Sequence, residues 1–181
     1  MPFGAGLRTS LDLRRERVPS EIIRGDSLED VLDRHLLAVE ENFHAELIAS
    51  ILLLSPDGTR LHHGAAPRLP HIYRDAIDGS EIGPSAGSCG TAAFRGLPVY
   101  VADIANDPLW HAYRDLAIPH GFRSCWSTPI FDPDGMLLGT FAIYDREPGS
   151  PTIDDVDAIA VITDSVAHAI LCARGLRNSS A

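Results

Sequence analysis

The sequence predicts an α+β fold, an antiparallel sheet with helices from both ends of the chain packed on one face. Three observations predict it. Residues 45–64 and 122–144 each read as apolar run, tight turn and apolar return, around Pro56-Asp57-Gly58 and Asp132-Pro133-Asp134-Gly135. Residues 27–43 and 152–174, at opposite ends, carry apolar side chains at helical spacing. The segment 65–121 between the hairpins is broken by Gly and Pro, and it must cover the second sheet face, which would aggregate if left open.

Each element has a local reason. Residues 1–25 hold three Gly, two Pro and alternating charges, and read as an extended lead-in. Asp26 and Ser27 offer an N-cap for a helix whose stripe is Leu28, Val31, Leu32, His35, Leu36, Val39 and Phe43. A strand follows over Ala45–Ser55 and returns over Arg60–Gly64. Leu69–Ile77 fits a short helix. Ser88 is placed to cap a second one, closed by Gly96. Pro98–Ala102 is a β-branched strand. Asn106-Asp107-Pro108 starts a helix that ends before Pro119. Phe122–Phe131 and Met136–Tyr144 form the second hairpin. Thr152, with Asp155 three residues on, caps a long helix running to about Arg174. The expected organisation is a lead-in (1–25), one domain (26–174) and a tail (175–181).

Composition narrows the function classes. The chain has 181 residues, with 15 Lys+Arg against 25 Asp+Glu, a net charge of −10. Such an acidic chain does not take up a nucleic-acid backbone without a basic patch, and the cluster Arg14, Arg15, Arg17 is interrupted by Glu16. Cys89, Cys125 and Cys172 are too scattered for a disulfide framework and show no zinc spacing. The uninterrupted apolar runs, Ile51–Leu54 among them, are too short to cross a bilayer. The expectations are no nucleic acid, no membrane, no metal and a reduced, cytoplasmic location.

The order of elements and a series of short motifs resemble a GAF domain over about residues 27–173. The motifs are Gly87-Ser88-Cys89-Gly90-Thr91-Ala92, Val99-x-Val101-x-Asp103-Ile104 and Asp107-Pro108-Leu109-Trp110. They continue through His120-Gly121-Phe122-Arg123-Ser124-Cys125-Trp126-Ser127-x-Pro129-Ile130 and Leu138-Gly139-Thr140-Phe141-Ala142-x-Tyr144. The pattern is similar to GAF modules of bacterial sensor histidine kinases and cyclic-di-GMP enzymes. The resemblance implies a central sheet of five to six strands, terminal helices on one face and a ligand pocket under loops and short helices on the other. It also implies a homodimer through the helices near 27–43 and 152–174, whose stripes carry more apolar residues than one sheet face needs. No kinase phosphoacceptor box, GGDEF-like segment or helix-turn-helix is present, so the expected role is a sensory module, alone or as part of a larger sensor.

The chemistry gathers in residues 100–127, expected to fold back as a lid over a hollow. Tyr100, Trp110 and Tyr113 offer aromatic walls. Asp103, Arg114, His120, Arg123, Cys125 and Ser127 offer polar contacts. Such a wall suits an unidentified small molecule, and an Arg suits a carboxylate or phosphate. The competing structural reading has the Trp side chains filling core and Asp103 pairing with Arg123. Cys89, near a helix start, is the redox candidate. One branch of the resembling family, the free methionine-R-sulfoxide reductases, shares the Gly-x-Cys-Gly element at Cys89. Its catalytic Cys would fall in the loop 104–120, which here has none. A haem held by one of His62, His63, His111 or His120 is a further alternative, and the cofactor is left open. The signature of cyclic-nucleotide-binding relatives and the Cys-His pair of bilin-binding ones are not found.

Overall fold

The computed structural model describes residues 6–43 and 46–179, the side chains of 176–179 excepted. Six helices and six strands run in the order α1 (Leu7–Ile23), α2 (Leu28–Glu40), β1 (Ile48–Leu54), β2 (Arg60–Ala65), α3 (His71–Ile77), β3 (Ser80–Glu81), α4 (Gly87–Arg95), β4 (Val99–Val101), α5 (Arg114–Ala117), β5 (Ser124–Phe131), β6 (Leu137–Asp145) and α6 (Ile153–Ser179). The strands form one sheet, β3-β2-β1-β6-β5-β4, antiparallel at every pairing.

Strand register sorts the side chains into two layers. In β1 and β6 the pairs Ile51↔Phe141 and Ala49↔Ile143 face the helix layer, with Leu32, Leu36, Ile162, Val166 and Ile170. The intervening residues Leu52, Ala142 and Tyr144 face the other side, against Tyr73, Ile77, Ala92 and Trp110. The middle of the sheet is therefore buried on both faces.

Capping chemistry places the helices of the first layer. Ser27 Oγ accepts from Asp30 N at 3.0 Å while Asp30 Oδ2 accepts from Ser27 N at 3.2 Å, the reciprocal box at the start of α2. Thr152 and Asp155 repeat it at α6, with Thr152 N donating to Asp155 Oδ2 at 2.7 Å.

The expected extended lead-in is instead helix α1, seated on α2 and α6. Its buried residues Leu7, Leu11, Arg14, Val18 and Ile22 recur every three or four positions, and the four apolar ones join the helix-side core. Charges between them and Pro19 inside the helix mask that stripe in the sequence. Helix α1 also occupies the apolar excess on α2 and α6 that suggested pairing with a second chain. At the other end α6 passes the expected stop at Arg174 and the supposed tail, continuing through Gly175 to Ser179; a helical Gly costs only about 1 kcal/mol against Ala. By length and composition Ile153–Gly175 could cross a membrane, but here its apolar stripe packs on the sheet and α1.

Smaller differences lie in the covering segment. The expected helix after Asp107 breaks into a 3-10 turn, Pro108–Trp110, then α5 and a second 3-10 turn, Ile118–His120. Asp107 still caps the first turn, accepting from Leu109 N at 2.9 Å. Two residues, Ser80 and Glu81, add the sixth strand. The expected strand start at Ala45 lies outside the described residues.

Candidate functional site

A cavity of about 40 Å³ lies on the sheet face away from the long helices. Its floor is Leu52 and Leu61 of β1 and β2 with Tyr144 of β6, and its walls are Tyr73 and Ile77 of α3, Gly87–Gly90 of α4, and the rings of Trp110 and Tyr113. A water position takes about 10–15 Å³ of such space, so the cavity holds a few water-sized molecules, well short of the several hundred Å³ around a drug-sized ligand.

Helix α4 brings the polar groups in. Gly87 takes φ +62°, a left-handed conformation that lets the first turn lie against the Tyr113 and Trp110 rings. Ser88 is not the N-cap; the helix starts one residue earlier, and the Ser88 hydroxyl turns inward instead. It accepts from Trp110 Nε1 at 3.0 Å and donates to the Cys125 carbonyl at 3.0 Å. One hydroxyl thus ties lid, helix and sheet.

Cys89 follows, in the first turn of α4, facing Cys125 of β5. The Cys125 thiol, then the hydroxyls of Ser127, Thr140 and Tyr144, favour the Cys89 thiolate over the opposing effect of burial and bring its pKa down to about 7. Burial, reinforced by the neighbouring Cys89, pushes the Cys125 thiol up. Ser127 and Thr140 are fully buried and their hydroxyls have no close hydrogen-bond partner among the described residues; the polar group they face is the Cys89 sulfur. Tyr73 and Tyr144 pack edge to face at 5.7 Å, and burial holds both phenols protonated.

A family model for the GAF domain matches residues 25–171. A methyl sulfide methyltransferase-associated sensor of Methanosarcina acetivorans is 37% identical over 151 residues, 82% of this chain. The chain belongs to the GAF domain family. It spans 15% of the length of that relative. Among solved structures, a domain ascribed to a two-component sensor histidine kinase of Sinorhizobium meliloti 1021 superposes with TM-score 0.70 at 20% identity, covering 86% of this GAF domain and 99% of that chain. Free methionine-R-sulfoxide reductase from Neisseria meningitidis superposes with TM-score 0.67 at 17% identity, covering 92% and 91%. At these identities the two likenesses show the fold alone.

Of the residues expected in the pocket of the GAF domain, Trp110, Tyr113 and Cys89 line the cavity, and Cys125 and Ser127 stand behind Cys89. The others lie elsewhere. Tyr100 packs on the helix side, because alternation along β4 gives Val99 and Val101 to the cavity side. Asp103 accepts from Arg123 Nη2 at 3.1 Å and from Asn106 Nδ2 at 2.7 Å, so this pair braces the loop. Hydrogen bonds from Asn106 and then Arg123 lower the Asp103 pKa. Arg114 donates to the carbonyls of Ile104 and Asp107 at 3.3 and 3.1 Å. His120 packs its ring against Tyr73 behind the wall. No histidine lines the cavity, and its volume is far below that of a haem. No cluster of three His, Cys, Asp or Glu side chains could hold a metal among the described residues.

The lid is therefore shared between α3, α4 and the Trp110–Tyr113 turn rather than formed by residues 100–127 alone. Sequence reasoning missed Tyr73, Thr140 and Tyr144. Period-two alternation through Thr140, Ala142 and Tyr144 carries the signal for the last two; Tyr73 is placed by tertiary packing.

Proposed function

We propose that this chain is the sensory module of a signalling protein, in which a small molecule entering the cavity is reported to the helix layer. The observation that carries the reading is a mostly apolar cavity whose lining includes a small polar patch from Ser80, Ser88, Cys89 and Tyr144. Such a wall favours a guest able to hydrogen-bond. The sensor name borne by the relative supports the same reading.

A guest larger than a few atoms must displace Trp110 and Tyr113. That breaks the Trp110–Ser88 hydrogen bond and loosens the hold of Ser88 on the Cys125 carbonyl. The next residue in β5, Trp126, belongs to the opposite core and donates to the Gly149 carbonyl at 2.8 Å, just ahead of α6. Movement of β5 therefore has a short route to α6.

The test is native mass spectrometry of freshly purified protein together with a thermal-shift screen of small polar molecules. The expected result is a carried mass or a concentration-dependent rise in Tm, abolished by Ala86→Leu at the cavity wall; a ligand at a hundredfold its Kd stabilises by about 2.7 kcal/mol. No carried mass and no stabilisation would mean that the cavity is packing space and would defeat the reading. The fold and Cys89 also admit a thiol reductase for free oxidised methionine. With no Cys in loop 104–120, the expected outcome of a coupled assay with that substrate is no turnover.

A further inference from the structure

Cys89 lines the cavity and Cys125 stands behind it, and the sensory reading uses neither sulfur. Cys89 keeps partial solvent exposure while Cys125 is buried. The start of α4 is fixed to the Cys125 backbone by the Ser88 hydrogen bond at 3.0 Å, which brings the adjacent Cys89 beside Cys125 in the same core. The hydroxyls of Ser127, Thr140 and Tyr144 lie on the same side of Cys89, and the first two, fully buried, have no hydrogen-bond partner among the described residues. The cavity beside Cys89 has room for a few water-sized molecules.

We propose that Cys89 and Cys125 form a peroxide-reactive thiol pair, with hydrogen peroxide reaching the Cys89 sulfur through the cavity. The Cys89 thiolate attacks one peroxide oxygen and the O–O bond breaks. The leaving hydroxide takes a proton, delivered through the surrounding hydroxyls, and departs as water, leaving Cys89 as a sulfenic acid. The Cys125 thiol then attacks the Cys89 sulfur. A second water leaves and a disulfide remains, so two thiols have each lost one electron and one peroxide has been reduced to two waters. The roles follow from position. Cys89 is at the helix start, reachable and stabilised as thiolate, and reacts first; Cys125, buried and held as thiol, resolves. Cys172 packs against the opposite core, on α6, and serves as an internal reference thiol. The proposal goes beyond the sensory reading, and its test reads bonds at sulfur rather than ligand binding, so either can fail without the other.

The experiment treats the fully reduced wild-type chain with one equivalent of hydrogen peroxide at neutral pH, blocks remaining thiols at timed intervals and maps them by mass spectrometry. The expected result is an intact mass lower by two hydrogens, a peptide cross-linked between Cys89 and Cys125, and an unoxidised Cys172. Cys89 should react roughly tenfold faster than Cys172. In Cys125→Ser, Cys89 should gain one oxygen that a sulfenic-acid trap captures. Equal rates at Cys89 and Cys172, or oxidation of Cys89 with Cys125 still open to alkylation, would overturn the proposal. The wild-type map decides this even if a variant fails to fold.

Discussion

Ser88 joins three parts of the cavity wall through a single hydroxyl, so its removal is felt beyond its own size. Ser88→Ala leaves the buried Trp110 N–H and the Cys125 carbonyl without their partners. An unmatched buried donor costs about 1–3 kcal/mol, and urea unfolding should show a loss in that range. A change below about 0.5 kcal/mol, the usual size for a surface substitution, would mean that Ser88 does not hold the lid. Gly139 is constrained more severely. A Cβ there would sit 2.0 Å from the backbone oxygen of Leu52 on the neighbouring strand, with no flexible side chain to give way. Gly139→Ala should therefore cost more than about 3 kcal/mol or yield insoluble protein, while Gly135→Ala, in open space but at φ +82°, should cost only the about 1–2 kcal/mol of a left-handed backbone and remain soluble. The difference between these two glycines was not legible in the sequence, since it depends on which strand lies beside Gly139. The place of Trp110 was legible, because a large apolar ring after a capped turn in the covering segment has the cavity as its nearest shelter. Tyr100 shows the opposite case: its aromatic character suggested the pocket, but strand alternation decided its face.

At the scale of elements, the hairpins, the N-terminal caps of α2 and α6 and the helices behind those caps could be read directly, since each rests on chemistry within a few residues. Helix α1 could not. Its apolar stripe is one residue wide, and the helix depends on what it touches rather than on its own composition. It is held by Leu11 and Val18 in the core and by a buried ion pair in which Arg14 Nη1 and Nη2 donate to Glu21 at 2.7 Å each, with Arg34 of α2 joining at 3.0 Å. These cations bring the Glu21 carboxyl down to about 2, the Arg14 hydrogen bond contributing most. Leu11→Ala should cost about 2–5 kcal/mol, as deletion of a fully buried Leu does. Removing residues 1–24 should uncover the apolar faces of α2 and α6, and the shortened chain should show a larger mass by light scattering than the full chain at equal concentration. Equal masses would mean that α1 is an ornament on a surface already closed.

At the scale of the whole molecule, two buried titratable groups act against each other in pH. His35 lies between α2 and α6, with Nδ1 3.3 Å from the Val31 carbonyl and Nε2 3.2 Å from Ser165 Oγ. That geometry suits the neutral ring, donating to the carbonyl and accepting from the hydroxyl. Burial first, then the nearby Arg14 charge, brings its pKa from 6.5 down to about 4. Glu40, at the end of α2, accepts from Ala49 N at 2.8 Å and pairs with Arg68 at 3.2 Å, yet burial outweighs both and carries its pKa from 4.5 up to about 7. Between about pH 4.5 and 6.5 the unfolded chain protonates His35 and ionises Glu40, while the folded chain does the reverse. The proton counts of the two states match, so stability should be nearly flat across that window. Glu40→Gln removes one half of the balance, and stability should then rise with pH by up to about 1.4 kcal/mol per unit. His35→Gln removes the other, and stability should fall as pH rises. Below about pH 4.5 the depressed Glu21 takes over: the unfolded chain binds its proton first, and stability should drop steadily toward pH 2 in all three proteins. Denaturant midpoints measured across pH 4–7 decide the matter, and parallel curves for wild type and Glu40→Gln would show that Glu40 ionises in the fold as it does in water.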